Sequence, residues 1–201
     1  MPVSTSTVPG TATLGVRFQP GAAAALLGVS AAELRDLAVP LSDLWSGARS
    51  QERREPTLRV CDTLTPNMAA TAVTSLVREA TPHDPFIRDA CRWLASNPGQ
   101  PAATFTARSG VSERHARRRF HDYVGYGPKT LQRILRMQRV LWLLSQTGTP
   151  LTLAQVAVLC GYADQAHLTR ELRALTGQLP TALAANHPQS AVADLFKTPP
   201  S

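Results

Sequence analysis

Apolar positions in this chain recur at intervals of three and four residues, the spacing of helices with one buried face. "VRFQPG" (16–21) reads as a short strand or an extended lead-in. "AAAALLGV" (22–29) predicts a short helix, and "SAAEL" (30–34) predicts another, opened by a Ser30–Glu33 capping box and stopped before Pro40. A further helical piece is expected over 41–48, and helical patterns follow at about 57–64 and 67–80. In "HDPFIRDACRWLASN" (83–97), Asp84 is the expected N-cap and Pro85 opens the first turn, with Phe86, Ile87, Ala90, Cys91 and Leu94 along one face. "NPGQP" (97–101) breaks the pattern and marks a domain boundary. The ends, 1–15 and 185–201, read as a disordered start and a flexible tail.

Beyond the break the pattern repeats. "GVSERHARRRF" (110–120) and "GYADQAHLTREL" (161–172) each begin with Gly and then offer a cap, Ser112 or Asp164. Each places a small or apolar residue four positions after the cap, Ala116 or Leu168, and a larger one eight after, Phe120 or Leu172. Each follows a short helical stretch, 102–109 or 153–160. Helix, glycine-bearing turn, then a helix with a polar outer face is the helix-turn-helix arrangement. Between the two units, "GPKTLQRILRMQRVLWLLSQ" (127–146) predicts one long helix of about five turns, a rod near 28 Å. Such a rod can set two units about one DNA turn, roughly 34 Å, apart.

Charge gives the repeat a meaning. The net charge is +7. Residues 1–100 carry nine basic and nine acidic groups, whereas residues 101–180 carry eleven against four, a surplus of seven. The whole imbalance sits in the repeated block, which points to a polyanion partner, most simply nucleic acid. Hydrophobic residues are 43% and aromatics 5%, enough for a core and favouring helices over a β-sandwich. The cysteines, Cys61, Cys91 and Cys160, are scattered and show no metal spacing, so buried thiols in a reducing cytoplasm are expected. No signal peptide, membrane span, phosphate-cradling glycine loop or nucleophile elbow is read, and no enzymatic activity and no cofactor are expected.

The motifs "GVSERHARRRFHDYVGYGPKTLQRILRMQRVLWLL" and "LAQVAVLCGYADQAHLTRELRALTGQLP", at this spacing, resemble the AraC/XylS family of bacterial transcription regulators. The resemblance covers about residues 100–183. It implies an all-α fold: a seven-helix AraC-type domain over 98–184, with two helix-turn-helix units joined by a long linker helix. A small helical region precedes it. Residues 16–97, with "VRFQPGAAAALLGVSAAEL", look like the helical remnant of a sensor or dimerisation region of one subfamily. The β-rich ligand-binding part expected ahead of it has no counterpart here, so no small-molecule effector is assigned.

The resemblance implies that two recognition helices enter successive major-groove segments of double-stranded DNA. Carried over position by position, the first presents Arg114, Arg117 and Arg118, with Glu113 and His115 at its edge. The second presents Gln165, His167 and Arg170, with Thr169 near a phosphate. Arg119 divides evenly between a salt bridge and the DNA backbone. Arg133, Arg136 and Arg139 read as surface or phosphate neighbours, and Trp45, Trp93 and Trp142 as core. Phe105-Thr106 departs from the family's usual Leu-Ala and predicts looser packing of the first unit, while Val156-Ala157 keeps the second regular. RNA polymerase and a second copy of the chain are the protein partners the family suggests, and no membrane partner is expected. The competing reading is a truncated regulator that pairs with a full-length relative instead of binding DNA alone.

Overall fold

The computed structural model describes residues 18–44, 84–145 and 151–186. The expected disordered start, the helical patterns at 57–64 and 67–80, Trp45, Cys61 and most of the tail lie outside them. Every regular element among the described residues is a helix. In chain order they are α1 (Ala22–Leu27), α2 (Leu41–Leu44), α3 (Pro85–Ser96), α4 (Ala102–Arg108), α5 (Glu113–Val124), α6 (Pro128–Ser145), α7 (Leu153–Leu159), α8 (Gln165–Thr176) and α9 (Pro180–Asn186). Six of them, α4 to α9, start within the 98–184 stretch that the resemblance implied as a seven-helix domain, and α3 lies just ahead of it. The chain divides into two compact units, Met1–Arg88 with Arg117–Tyr126, and Asp89–Ala116 with Gly127–Ser201.

In the first unit, Asp84 starts α3 as its sequence position predicts. Its Oδ1 accepts the N–H groups of Phe86 at 2.9 Å and Ile87 at 3.3 Å, filling two donors that a helix start leaves open. Its Oδ2 faces Arg119 Nε at 3.4 Å, and the Arg119 guanidinium lies 5.5 Å from the centre of the Phe86 ring. Phe86 in turn meets Phe120 edge to face at 6.2 Å, and Phe120 and Ile87 are fully buried. Truncating a buried Phe typically costs about 3–5 kcal/mol, so this contact anchors α5 in the unit.

One predicted helix does not form. Residues 31–36 are turns, with Asp36 at φ +59°. Ser30 does not cap at Glu33. Its Oγ accepts the Ala32 N–H at 3.3 Å and donates to the Asp122 carbonyl at 3.4 Å, the local competition that favours serine in turns. Ala31 also sends its N–H to Asp122 O, at 2.8 Å. The Asp122 carbonyl thus takes the Ala31 N–H and the Ser30 hydroxyl, while the Glu33 N–H turns back to Ser30 O at 3.1 Å.

The core of the second unit joins four helices. Val140 and Leu141 of α6, Val156 and Ala157 of α7, Leu168 and Leu172 of α8 and Leu183 of α9 close around Cys160 and Tyr162. The i, i+4 pairing on α8 is the one read from the sequence. A capping box that the sequence reading overlooked opens α7: Thr152 Oγ1 accepts the Gln155 N–H at 3.3 Å, and the Thr152 N–H donates to Gln155 Oε1 at 2.9 Å. Gly161, at φ +75°, ends that helix, with the Tyr162 N–H reaching back to Ala157 O at 2.9 Å. The same glycine lies against the Pro98–Gly99 backbone, so closely that a Cβ there would sit 2.5 Å from Gly99 N. Gln132 donates to Gln100 O, and Arg136 Nε to Pro98 O at 2.6 Å, which pins the Asn97–Pro101 breaker against the domain.

Trp93 and Trp142 are half-buried rather than core, Trp93 with its ring 5.8 Å from that of Phe105. Phe105 and Thr106 are likewise half-buried, where their counterparts Val156 and Ala157 are sealed.

Candidate nucleic-acid interface

Helix α5 is built to show one face. Ser112 Oγ accepts the His115 N–H at 3.3 Å, and Ala116, Phe120 and Val124 turn inward at four-residue steps. At 100° per residue that register sends Arg114, Arg117 and Arg118 outward, and all three are exposed. Arg114 and Arg117 pair with no acidic group among the described residues. Arg118 lies 3.8 Å from Asp122 one turn on, but its side chain is 80% exposed, and such a pair contributes little and yields readily to a stronger anion. His121, one turn after Arg117, is also exposed and extends the stripe. The sequence reading passed over it, although its i, i+4 relation to Arg117 was legible. Arg119 resolves toward the salt bridge: it is held between Asp84 and Phe86.

Helix α8 repeats the plan with different chemistry. Asp164 Oδ1 accepts the His167 N–H at 2.6 Å, and Leu168 and Leu172 are fully buried. Gln165 and Arg170 are exposed. Arg173, three residues after Arg170, is exposed on the same stripe and was not singled out from the sequence. His167 and Thr169 are partly committed elsewhere. His167 is half-buried, its Nδ1 accepts the Ala163 N–H at 3.3 Å, and its ring stands edge-on to Tyr162 at 5.4 Å. With Nδ1 an acceptor, the ring proton sits on Nε2, the one atom left to offer a partner. Thr169 Oγ1 donates to Gln165 O at 2.9 Å, so its hydroxyl hydrogen is spent inside the helix.

The linker arginines depart furthest from expectation. Arg133 Nε donates to both oxygens of Glu171, at 3.1 and 3.0 Å, in a half-buried pair between α6 and α8. Arg136 donates to Pro98 O and lies 5.7 Å from the centre of the Tyr162 ring. Arg139 Nε is buried with no hydrogen-bond partner. These are packing groups rather than a surface stripe. The i, i+3, i+6 spacing was visible in the sequence, but Glu171 and the Pro98 carbonyl, 38 residues away in either direction, were not.

Among the described residues no group of three or more His, Cys, Asp or Glu could hold a metal ion. Cys160 is buried, and burial pushes its thiol up to about 11, with Arg139 and Arg136 opposing the rise. Burial holds Cys91 higher still, at about 12. A nucleophilic thiol needs the reverse shift.

Two capped helices with outward arginines, each behind a glycine turn, therefore lie in a stretch that also matches a known family. Residues 105–186 match a family model described as a helix-turn-helix domain. Over these residues the chain is similar to the AraC-type helix-turn-helix family. Among solved structures, a probable AraC family transcriptional regulator from Rhodopseudomonas palustris is 27% identical, with 51% of this chain and 96% of that chain covered at a TM-score of 0.43. No curated protein matches the chain. The helix-turn-helix match supports a DNA-binding transcription regulator. No helix among the described residues is long and apolar enough to cross a membrane.

Proposed function

We propose that this chain is a sequence-specific transcription regulator that places α5 and α8 in successive major-groove segments of double-stranded DNA. The observation that carries the reading is the shared build of the two helices. Each has a side-chain cap, each buries an i, i+4 pair, and each leaves outward polar groups unspent. Arg114, Arg117 and Arg118 would read bases or hold phosphates from α5. Gln165 and Arg170 would do so from α8, with His167 acting through Nε2 and Thr169 only as an acceptor. Arg can pair bidentately with guanine and Gln with adenine. Such a protein acts in the cytoplasm, and a second copy or RNA polymerase would join it on promoter DNA.

The test is to enrich sheared genomic DNA on the purified chain and then measure affinity for the enriched site against salt. Arg117→Ala should cost about 1–3 kcal/mol on that site, roughly ten- to a hundred-fold in Kd. Log affinity should fall steeply with log salt as phosphate counterions are released. A flat salt response, or Arg117→Ala binding like the parent, refutes the proposal. Footprint length reads the stoichiometry, because one copy covers two segments about one helical turn apart.

A further inference from the structure

A turn of the N-terminal region ends on the last turn of α5, and it does so through the main chain. Asp122 stands among the final residues of that helix, whose carbonyls have no intrahelical donor. Its carbonyl accepts the Ala31 N–H at 2.8 Å and faces Ser30 Oγ at 3.4 Å. Gly125 makes room for the approach. Its φ is +86°, and a Cβ there would lie 2.9 Å from Ala31 O and 3.2 Å from Ala31 C. The side chain of the same Asp122 reaches back to Arg118. One residue thus joins the 30–32 turn to an arginine on the outward stripe.

We propose that the Ser30–Ala32 turn is a positioning element for the first recognition helix. It fixes the end of α5, so that displacing the turn weakens the α5 half of the DNA contact and spares the α8 half. The inference rests on the reading of α5 and α8 as DNA readers. Its physical basis is separate: a helix end whose free carbonyl is filled by a segment some 90 residues upstream is held by that segment. Anything that binds or moves the N-terminal region then acts on α5 without touching DNA.

Two substitutions in the full-length chain test it. Ala31→Pro removes the N–H that Asp122 accepts, and Ser30→Ala removes the hydroxyl while leaving the backbone preference alone. Backbone amide exchange is followed first, without DNA. Losing a hydrogen bond of ordinary net strength should speed exchange over Phe120–Gly125 by about two- to ten-fold, less for Ser30→Ala, with α8 unchanged. Footprints on the enriched site follow, with the α5 half identified by Arg117→Ala. That half should fade in Ala31→Pro while the other persists. Unchanged exchange in both variants overturns the proposal, and so does faster exchange with both halves of the footprint intact. If Ala31→Pro fails to fold, Ser30→Ala decides by the same two readings. A parent chain that protects no DNA would overturn the proposed function and with it the DNA half of this inference, while the exchange data still decide whether the turn braces the helix.

Discussion

The two turn glycines, Gly110 and Gly161, occupy equivalent places in the repeat, yet replacing them should have unequal consequences. Both have positive φ, +68° and +75°, a conformation that costs a residue bearing a Cβ about 1–2 kcal/mol. At Gly110 that is the whole cost, because an added Cβ would meet nothing within 4 Å. At Gly161 it would lie 2.5 Å from Gly99 N and Pro98 C and 2.6 Å from Gly99 Cα. Backbone cannot swing aside as a side-chain tip can, and Arg136 and Gln132 hold the same loop. Overpacking of this kind typically costs a further 1–3 kcal/mol or so. Gly161→Ala should therefore lose about 2–5 kcal/mol, against about 1–2 kcal/mol for Gly110→Ala. Urea denaturation followed by helical circular dichroism measures both, and in a chain of this size each kcal/mol moves Tm by about 2–4 °C. Equal losses in the two variants would refute the argument, since they would show that the Pro98–Gly99 contact carries no constraint beyond the turn itself.

Two further outcomes are expected. Asp84→Ala should cost about 1–2 kcal/mol through the lost cap, with the partly exposed Arg119 pair adding little. Asp84→Asn, which can still cap, should cost clearly less in the same urea titration, and equal costs would give the weight to the ion pair instead. The buried Cys160 thiol makes stability fall with alkaline pH. The unfolded chain gives up this proton near pH 9, while the folded chain holds it to about 11, so the folded state binds more protons between those values. Stability should be fully present below pH 9 and decline as pH rises toward 11. Cys160→Ala should show a shallower decline between pH 8 and 10, whatever its stability at pH 8, and an unchanged slope would contradict the burial argument.

Much of the domain was legible because its information is local. A cap three residues ahead of the donor it serves, an i, i+4 pair such as Leu168 and Leu172, and a glycine where φ must be positive are all encoded within a few positions. The repeat of these signals fixed the helix-turn-helix units and the outward faces of α5 and α8. The failures share the opposite cause. Ser30–Glu33 spells a capping box, but the Asp122 carbonyl, some 90 residues on, draws the Ser30 hydroxyl and the Ala31 N–H into a turn instead. Arg133 and Arg136 look like a free basic stripe until Glu171 and the Pro98 carbonyl, each 38 residues distant, claim them. His167 and Thr169 look available until the Ala163 N–H and the Gln165 carbonyl take part of each. The sequence by itself determined which segments become helices, which faces they bury and where the positive charge collects. Only the tertiary structure decided which arginines remain free for a partner, because an arginine is spent or available according to acceptors that the fold brings to it from far along the chain.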